Sequence, residues 1–537
     1  MKIVWIQGSP GTGKTYKLRE LLKAEFDNGT EPIDVAYVSF TQKGAYQGIE
    51  IAKSAFELAD EECEYMRTLH SLAFRMLSLK REGVYDKKEA LPFLTGAFSK
   101  IESTLIKKIL NEMDIFDSEE TLSLSDFMKE MKAKYDMSPP IVEAITDAYK
   151  YYKDKQKKLS FSEMLRACIE QKITAPCKVI FVDEWQDLTP LQKTFLLSVF
   201  PEAHTWYLAG DLDQSIYAWA GADGKFLFDE SMVTEKIYLN ATFRCPKNVW
   251  RYAKVVHDQL YVREKIEAVT VAGADKGRVY FDSDYPVNMT TFKAMLSRAV
   301  ESGSRVLSLS TVKNHFLVQA GILDSLCIPY ALKTGRYTSA VVNFDKDIYK
   351  IIMKGLTVVL NRDFYRHYVL GQNVEGFVPR ANLLDDVSGE RLKYFEKKEI
   401  DELLSGEYVA FEDVKKMSEL LWTYIQKHWT KLEPCDRIKI KRLLALSLTF
   451  PKRFNYWNGI VQFQTVFSAK GSEEEFVCLD VSLSAKRWKQ VIEDKDEHDR
   501  YVREMYVGIT RAKKELYIYS AKEDLERNTV FNVGGIA

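Results

Sequence analysis

The run Ile3-Val4-Trp5-Ile6-Gln7, followed by Gly8-Ser9-Pro10-Gly11-Thr12-Gly13-Lys14-Thr15, decides the fold. A short apolar run that stops at a glycine-rich turn reads as a buried strand. Gly8 to Thr15 fits G-x-x-x-x-G-K-[ST]. In that pattern the glycines let backbone N–H groups turn toward phosphate oxygens. Lys14 reaches the terminal phosphates, and the Thr15 hydroxyl ligates Mg²⁺. The pattern carries this meaning only between a strand and a helix. Leu18, Leu21 and Leu22 give Tyr16–Phe26 a helical apolar spacing, so the context is present. A chance glycine turn would lack it.

Two further strands lead to polar residues. Lys178-Val179-Ile180-Phe181-Val182 ends in Asp183-Glu184-Trp185-Gln186-Asp187. A buried strand aims the first carboxylate, Asp183, at a metal, and the second, Glu184, polarises a water. The bland alternative is an acid pair that merely caps a strand. Trp206-Tyr207-Leu208-Ala209 leads into Gly210-Asp211-Leu212-Asp213-Gln214-Ser215-Ile216-Tyr217-Ala218-Trp219. Gln214 is a candidate sensor of the γ-phosphate. Tyr217 and Trp219, two apart, are candidates to stack on bases, a contact that tolerates any sequence. Taken alone, Trp219 reads more readily as a core residue, and its position beside Gln214 reverses that reading. Arg244 and Arg511 are candidates to stabilise transition-state charge, although a lone arginine is more often a surface ion pair.

At 537 residues the chain is too long for one core. With 46% hydrophobic and 28% charged residues it is an ordinary folded protein. No stretch approaches the ~20 apolar residues that span a bilayer. The seven cysteines form no C-x-x-C pair, which argues against a zinc site or a disulfide framework and predicts a reducing, cytoplasmic setting. The formal charge of −1 supplies no global basic field, so a nucleic-acid site must be a local groove. Strands alternating with helices predict a parallel α/β sheet. A second such unit starts near Tyr238, includes Arg305–Leu309, and resumes at Val461–Phe463, Phe476–Val481 and Leu516–Tyr519. The stretch from 72 to 158 and the block between 340 and 455 read as largely helical.

These stretches, in this order, resemble the UvrD/Rep/PcrA helicases, superfamily-one motors that move 3′→5′ on single-stranded DNA. Gly8–Thr15 is similar to motif I, Phe40-Thr41-Gln42-Lys43 to T-F-T-N-K, and Thr68-Leu69-His70-Ser71-Leu72 to T-F-H-x-L. Phe161–Leu165 resembles D-F-x-x-L, Asp183–Asp187 resembles D-E-F-Q-D, and Gly210–Ala222 resembles G-D-x-D-Q-S-I-Y-x-W-R-G-A. Asn240–Arg244 is similar to N-Y-R, Gln464–Glu473 to T-x-H-x-A-K-G-L-E, and Arg503–Ala512 to R-x-x-Y-V-x-x-T-R-A. The resemblance implies two RecA-like motor domains of the P-loop NTPase class, each with a largely helical insertion. The expected parts are motor domain 1A at 1–71 and 159–238, accessory domain 1B at 72–158, motor domain 2A at 239–340 and 455–537, and accessory domain 2B at 341–454. It also implies that Lys14, Thr15, Asp183, Glu184, Gln214, Arg244, Glu473 and Arg511 line a site for ATP and Mg²⁺. Phe40, Thr41, His70, Tyr217, Trp219, Thr465 and Ser468 would then face single-stranded DNA.

Four departures qualify the resemblance. Only seven residues precede Gly8, so the upstream glutamine that reads adenine in the family is expected to be missing and nucleotide choice to be loose. Ala220 stands for the arginine of W-R-G-A, and Phe467 for the histidine of T-x-H-x-A-K-G. The chain stops soon after Tyr517–Ser520, so a long tail or a fused nuclease is not expected. The resulting expectation is a compact, monomeric, ATP-dependent 3′→5′ helicase acting on single strands and on single-strand/duplex junctions. The alternatives are a translocase that strips proteins from single strands and a DNA-binding NTPase switch.

Overall fold

The computed structural model describes residues 1–39, 49–50, 53, 63–84, 87–103, 105–106, 109–110, 112–113, 127–129, 131–132, 137–263, 269–271, 276–282, 290–312, 315–316, 330–334, 337–340, 377–379, 408–410 and 461–520. The chain divides into two compact units, one of residues 1–275 with 486–510 and one of residues 276–485 with 511–537.

The first unit is built on β1 (Lys2–Gly8), β2 (Val35–Ser39), β3 (Met66–Thr68), β4 (Val179–Asp183), β5 (Thr205–Gly210) and β6 (Glu235–Leu239). They form one six-stranded sheet in the order β3-β2-β4-β5-β1-β6, and every pairing is parallel. A parallel sheet is covered on both faces, and the alternation along β1 shows how. Val4 and Ile6 pack on one side with Leu18, Leu22 and Phe26 of the helix Lys14–Asp27. Ile3 and Trp5 pack on the other, with Trp185, Phe195 and Leu196. Leu18, Leu22 and Phe26 recur every four residues, so they form one stripe of that helix.

The register decides where chemistry can gather. Gln7 of β1 lies opposite Gly210 of β5, and Asp183 of β4 lies opposite Ala209. The residues that follow β1, β4 and β5 therefore emerge side by side at the carboxyl edge of the sheet, the place where open α/β sheets bind ligands. A short parallel pair, β7 (Ala241–Thr242) with β8 (Val269–Thr270), follows β6. The helix Lys495–Ile509, far away in sequence, packs beside the helix Lys247–His257. The sequence reading places a boundary at 238/239. The compact units divide at 275/276 instead, because Leu239 closes the edge strand of the first sheet and the helix Lys247–His257 packs within that unit.

Between 72 and 158 the helices Lys87–Ala97 and Pro139–Gln156 share a separate apolar core with Ile106, Leu110 and Phe127. The helix that follows, Phe161–Glu170, opens with a capping box in which Ser160 and Glu163 satisfy each other's backbone N–H groups.

The second unit carries β9 (Arg278–Asp282), β10 (Val306–Ser310), β11 (Tyr330–Thr334), β12 (Tyr337–Ala340), β13 (Phe377–Pro379), β14 (Tyr408–Ala410), β15 (Val461–Thr465), β16 (Glu474–Asp480) and β17 (Ala512–Tyr519). Seven of them form a sheet in the order β12-β11-β15-β10-β16-β17-β9. All its pairings are parallel except β11 with β12. Both sheets thus match the expected RecA-like α/β class. The block expected to be largely helical contributes β13 and β14, an antiparallel pair, and its other residues lie outside the described ones. Among the described residues no helix is long and apolar enough to cross a membrane.

Candidate nucleotide site

The glycine loop is shaped before any ligand is considered. Gly11 and Gly13 have φ of 74° and 86°, left-handed values that favour glycine. A Cβ on Gly11 would strike the Cβ of Arg244, so the glycine also admits the Arg244 backbone beside the loop. Phe243 N–H donates to Gly11 O at 2.9 Å, and Thr242 Oγ1 donates to Pro10 O at 2.9 Å. Arg244 is thereby fixed against the loop by backbone contacts. Inside the turn, Thr12 Oγ1 donates to Ser9 O at 2.8 Å, and Lys14 Nζ donates to Gly8 O at 2.6 Å. Lys14 also stands 3.9 Å from Asp211 Oδ2.

Thr15 Oγ1 donates to Asp183 Oδ2 at 3.0 Å. The other carboxylate oxygen, Asp183 Oδ1, is buried with no hydrogen-bond partner among the described residues. Burial, and then the Glu184 charge, push the Asp183 carboxyl up to about 7, against the opposing pull of Thr15 and Lys14. An orphaned buried oxygen beside a hydroxyl is the hard-oxygen donor set that Mg²⁺ takes, since that ion uses one or two carboxylates together with phosphates and water. Thr15 and Asp183 therefore fit Mg²⁺.

Glu184 has φ 59° and ψ 44°, a left-handed conformation rare outside glycine. The turn places its carboxylate where Gln186 Nε2 donates to Oε2 at 2.6 Å. Gln186 Oε1 accepts from Asp211 N–H at 3.0 Å. Gln186 is fully buried and so ties the end of β4 to the end of β5. Gly210 is required here, because a Cβ at that position would collide with Gln186 Oε1 and the Trp185 indole. Asp211 in turn holds the sensor candidate. Gln214 Nε2 donates to Asp211 Oδ2 at 2.6 Å, and Asp213 N–H donates to Oδ1 at 3.0 Å. Burial raises the Asp211 carboxyl despite the nearby Lys14 cation.

One unit therefore brings together Gly8–Thr15, Asp183, Glu184, Gln214 and Arg244. Asp211 and Gln186 were quoted in the sequence motifs without a role. Their signal lay in that quotation, as polar residues that fall at strand ends buried on both faces.

The aromatic candidates divide. Trp219 is 51% exposed, which removes the core reading. It sits in a one-turn helix, Ala218–Ala220, with its ring 6.1 Å from that of Tyr217. His70 packs on the Phe161 ring at 5.0 Å, and burial pushes its pKa down to about 4, so it is neutral at physiological pH. Phe40 and Thr41 lie outside the described residues. In the second unit Thr465 and Ser468 form a turn at the end of β15, where Ser468 N–H donates to Thr465 Oγ1 at 3.2 Å. Glu473 is exposed and pairs with Lys513 at 3.5 Å. Arg511 is 2% exposed, with Nη1 3.4 Å from Ser472 O and its own carbonyl accepting from Glu474 N–H.

Known proteins are similar to this chain. Residues 1–232 match the UvrD/REP helicase N-terminal domain. A Mycoplasma pneumoniae protein described as a probable DNA helicase II homolog is 21% identical, over 96% of this chain and 81% of its own length. The ATP-dependent DNA helicases PcrA of Staphylococcus epidermidis and Leuconostoc citreum are each 24% identical, over 47% and 49% of this chain. Those two matches cover 37% and 38% of the relatives, so the aligned part spans little more than a third of each PcrA. With the glycine loop, the acid pair and the Gln214 loop on one sheet edge, the chain is similar, over its first 232 residues, to helicases of the UvrD/Rep/PcrA type.

Proposed function

We propose that this protein is an ATP-dependent 3′→5′ DNA helicase that translocates on single-stranded DNA and opens duplex at a junction. The observation that carries this reading is the convergence of Lys14, Thr15, Asp183, Glu184 and Gln214 on one sheet edge, with the exposed Trp219 five residues beyond Gln214. The similarity to relatives described as DNA helicases supports it.

The glycine loop and Lys14 take the triphosphate. Thr15 and Asp183 would hold Mg²⁺, which when bound neutralises charge on the phosphoryl oxygens. Glu184, held by Gln186, accepts a proton from the attacking water. Gln214 senses the γ-phosphate. Arg244 and Arg511 supply positive charge as the phosphoryl group transfers, and Glu473 completes the nucleotide-binding set. Phe40, Thr41, His70, Tyr217, Trp219, Thr465 and Ser468 form the single-strand path. Because Gln214 and Trp219 share one loop, a change at the γ-phosphate reaches the strand through few intervening residues. Residues 72–158 and 341–454 serve as accessory domains, and the protein works as a cytoplasmic monomer.

ATP turnover is measured with and without single-stranded DNA, beside unwinding of duplexes bearing only a 3′ or only a 5′ tail. DNA-stimulated turnover with unwinding from the 3′ tail is expected. Translocation without unwinding would identify a protein-stripping motor instead. Turnover indifferent to DNA would sink the motor reading altogether.

A further inference from the structure

The Gln214 loop is anchored at a point that the motifs do not cover. Asp213, one residue before Gln214, is 4% exposed, and a carboxylate so buried requires a partner. Its Oδ2 lies 2.7 Å from Nε2 of His257, the last residue of the helix Lys247–His257. The carbonyls that end a helix favour a cation at that place.

We propose that His257 is a positioning residue for ATP hydrolysis, which holds Asp213 and thereby sets the Asp211–Gln214 turn that presents Gln214 to the γ-phosphate. This deepens the reading above and rests on Gln214 being the sensor. The turn has two anchors. Asp211 binds Gln214 and Asp213 N–H from within, while His257 grips it from outside through Asp213. His257 itself is seated by the Tyr506 ring at 5.0 Å, on the helix Lys495–Ile509. The charged groups facing His257 are Asp213 and Asp211 from the turn and Asp258 from its own chain, whose Oδ1 is 3.8 Å from Nδ1. On the neighbouring helix, Asp499 accepts the N–H groups of Tyr261 and Val262, and Arg503 donates to Val262 O. Those two charges are thus engaged elsewhere.

Burial alone would lower the His257 pKa. The hydrogen bond and charge of Asp213 outweigh it, and the net direction is upward from 6.5. A raised histidine pKa means that the charged grip is complete at lower pH and weakens as pH rises through the folded-state value. Neutral His257 can still donate through Nε2–H, so the anchor loosens rather than vanishes.

The test combines kinetics with a measurement that needs no turnover. Single-strand-stimulated kcat and KM for ATP are followed across the neutral-to-alkaline range in wild type, His257→Gln and His257→Ala. In parallel, the His257 ring is titrated by NMR in the intact chain, its signal assigned by its absence from His257→Gln. His257→Ala is expected to lose about tenfold to a hundredfold in kcat, the size of one charge-assisted hydrogen bond. Its KM should change less than about twofold, because the glycine loop is untouched. His257→Ala leaves Asp213 buried without its partner and can impair folding, so His257→Gln carries the decision. Glutamine keeps a donor without a titrating charge. It should recover most of the activity and abolish the alkaline decline of the wild type. A His257→Gln profile that retains that decline, or a loss confined to KM, overturns the positioning role. A His257 ring that titrates at or below 6.5 overturns the pairing itself. A wild type that turns over no ATP refutes the functional reading, and the ring titration still decides the pairing.

Discussion

Asp183→Asn should make the metal-free protein more stable while abolishing Mg²⁺-dependent turnover. The folded protein raises this carboxyl from 3.8 to about 7, chiefly through burial. At about 1.4 kcal/mol per pH unit, the ionised form costs ~4 kcal/mol relative to the unfolded chain. Asparagine removes that charge and keeps an oxygen for Thr15. It also places an amide where Oδ1 has no partner, at a cost of about 1–3 kcal/mol. The net expectation is a gain of ~1–3 kcal/mol, or roughly 2 °C or more per kcal/mol in melting temperature. The sign fixes a pH signature. A raised carboxyl pKa makes folding less favourable as pH climbs from the unfolded value to the folded one. Relative to wild type, the variant should therefore be less stable near pH 3.8, by about the amide cost of ~1–3 kcal/mol, improve as pH climbs toward 7, and level off in its own favour above it. Thermal unfolding in EDTA across this range measures the difference. Adding Mg²⁺ and ATP should raise the melting temperature of wild type far more than that of the variant. A variant less stable than wild type at alkaline pH, or one whose stability relative to wild type rises on acidification, would refute the argument that Asp183 is a desolvated carboxylate awaiting a cation.

Three further outcomes are expected. Glu184→Gln should bind ATP and DNA almost normally but abolish turnover, since the shape is kept and the proton acceptor removed; residual hydrolysis near the wild-type rate would show that another group activates water. Arg244→Ala and Arg511→Ala should each lower DNA-stimulated kcat by orders of magnitude with smaller effects on ATP affinity, and a pure affinity loss would assign them to binding. Trp219→Ala should weaken single-strand affinity by ~1–3 kcal/mol, roughly tenfold or more, and depress DNA-stimulated turnover more than turnover without DNA. The ring is half-exposed, so the melting temperature should barely move, and a large drop at unchanged affinity would return Trp219 to a purely structural role.

Much of the fold was legible because fully buried parallel strands announce themselves as apolar runs. Val179–Asp183 and Thr205–Gly210 fall within one or two residues of the stretches read from sequence. Strands that carry less of the core were not found. Met66–Thr68 and Glu235–Leu239 sit at the two edges of the first sheet, and the latter is mostly exposed, so neither shows a hydrophobic run. The helix Lys495–Ile509 was hidden for another reason. Its buried side mixes Asp499 and Glu504, satisfied by backbone N–H groups and by Arg487, with Tyr501, Val502, Met505 and Tyr506, so charged residues interrupt the apolar stripe. At the site, motif spacing identified Lys14, Asp183 and Gln214. The roles of Gln186 and His257 depend on partners 25 and 44 residues away in sequence, a relation that only the strand register and helix packing create.

The candidate site carries several conformational costs of its own. Glu184 occupies a left-handed backbone, which costs on the order of 1 kcal/mol or more. Asp183 is buried with one oxygen unmatched, and Lys14 and Asp211 stand 3.9 Å apart, too far for a direct hydrogen bond between them. These features persist because rigid neighbours over-determine them. Trp185 is fully buried and packs edge-on against Trp5, Gln186 bridges Glu184 to the Asp211 backbone, and β4 lies in register with β5. Such support leaves the carboxylates and the lysine few ways to relax toward one another. A site held in that state is set to gain from a polyanion with its cation, which would give Asp183 Oδ1 a partner and Lys14 an anionic one. Substrate binding would thus offset costs that the fold alone sustains, and this is why Asp183, which weakens the metal-free protein, is expected to contribute to nucleotide binding.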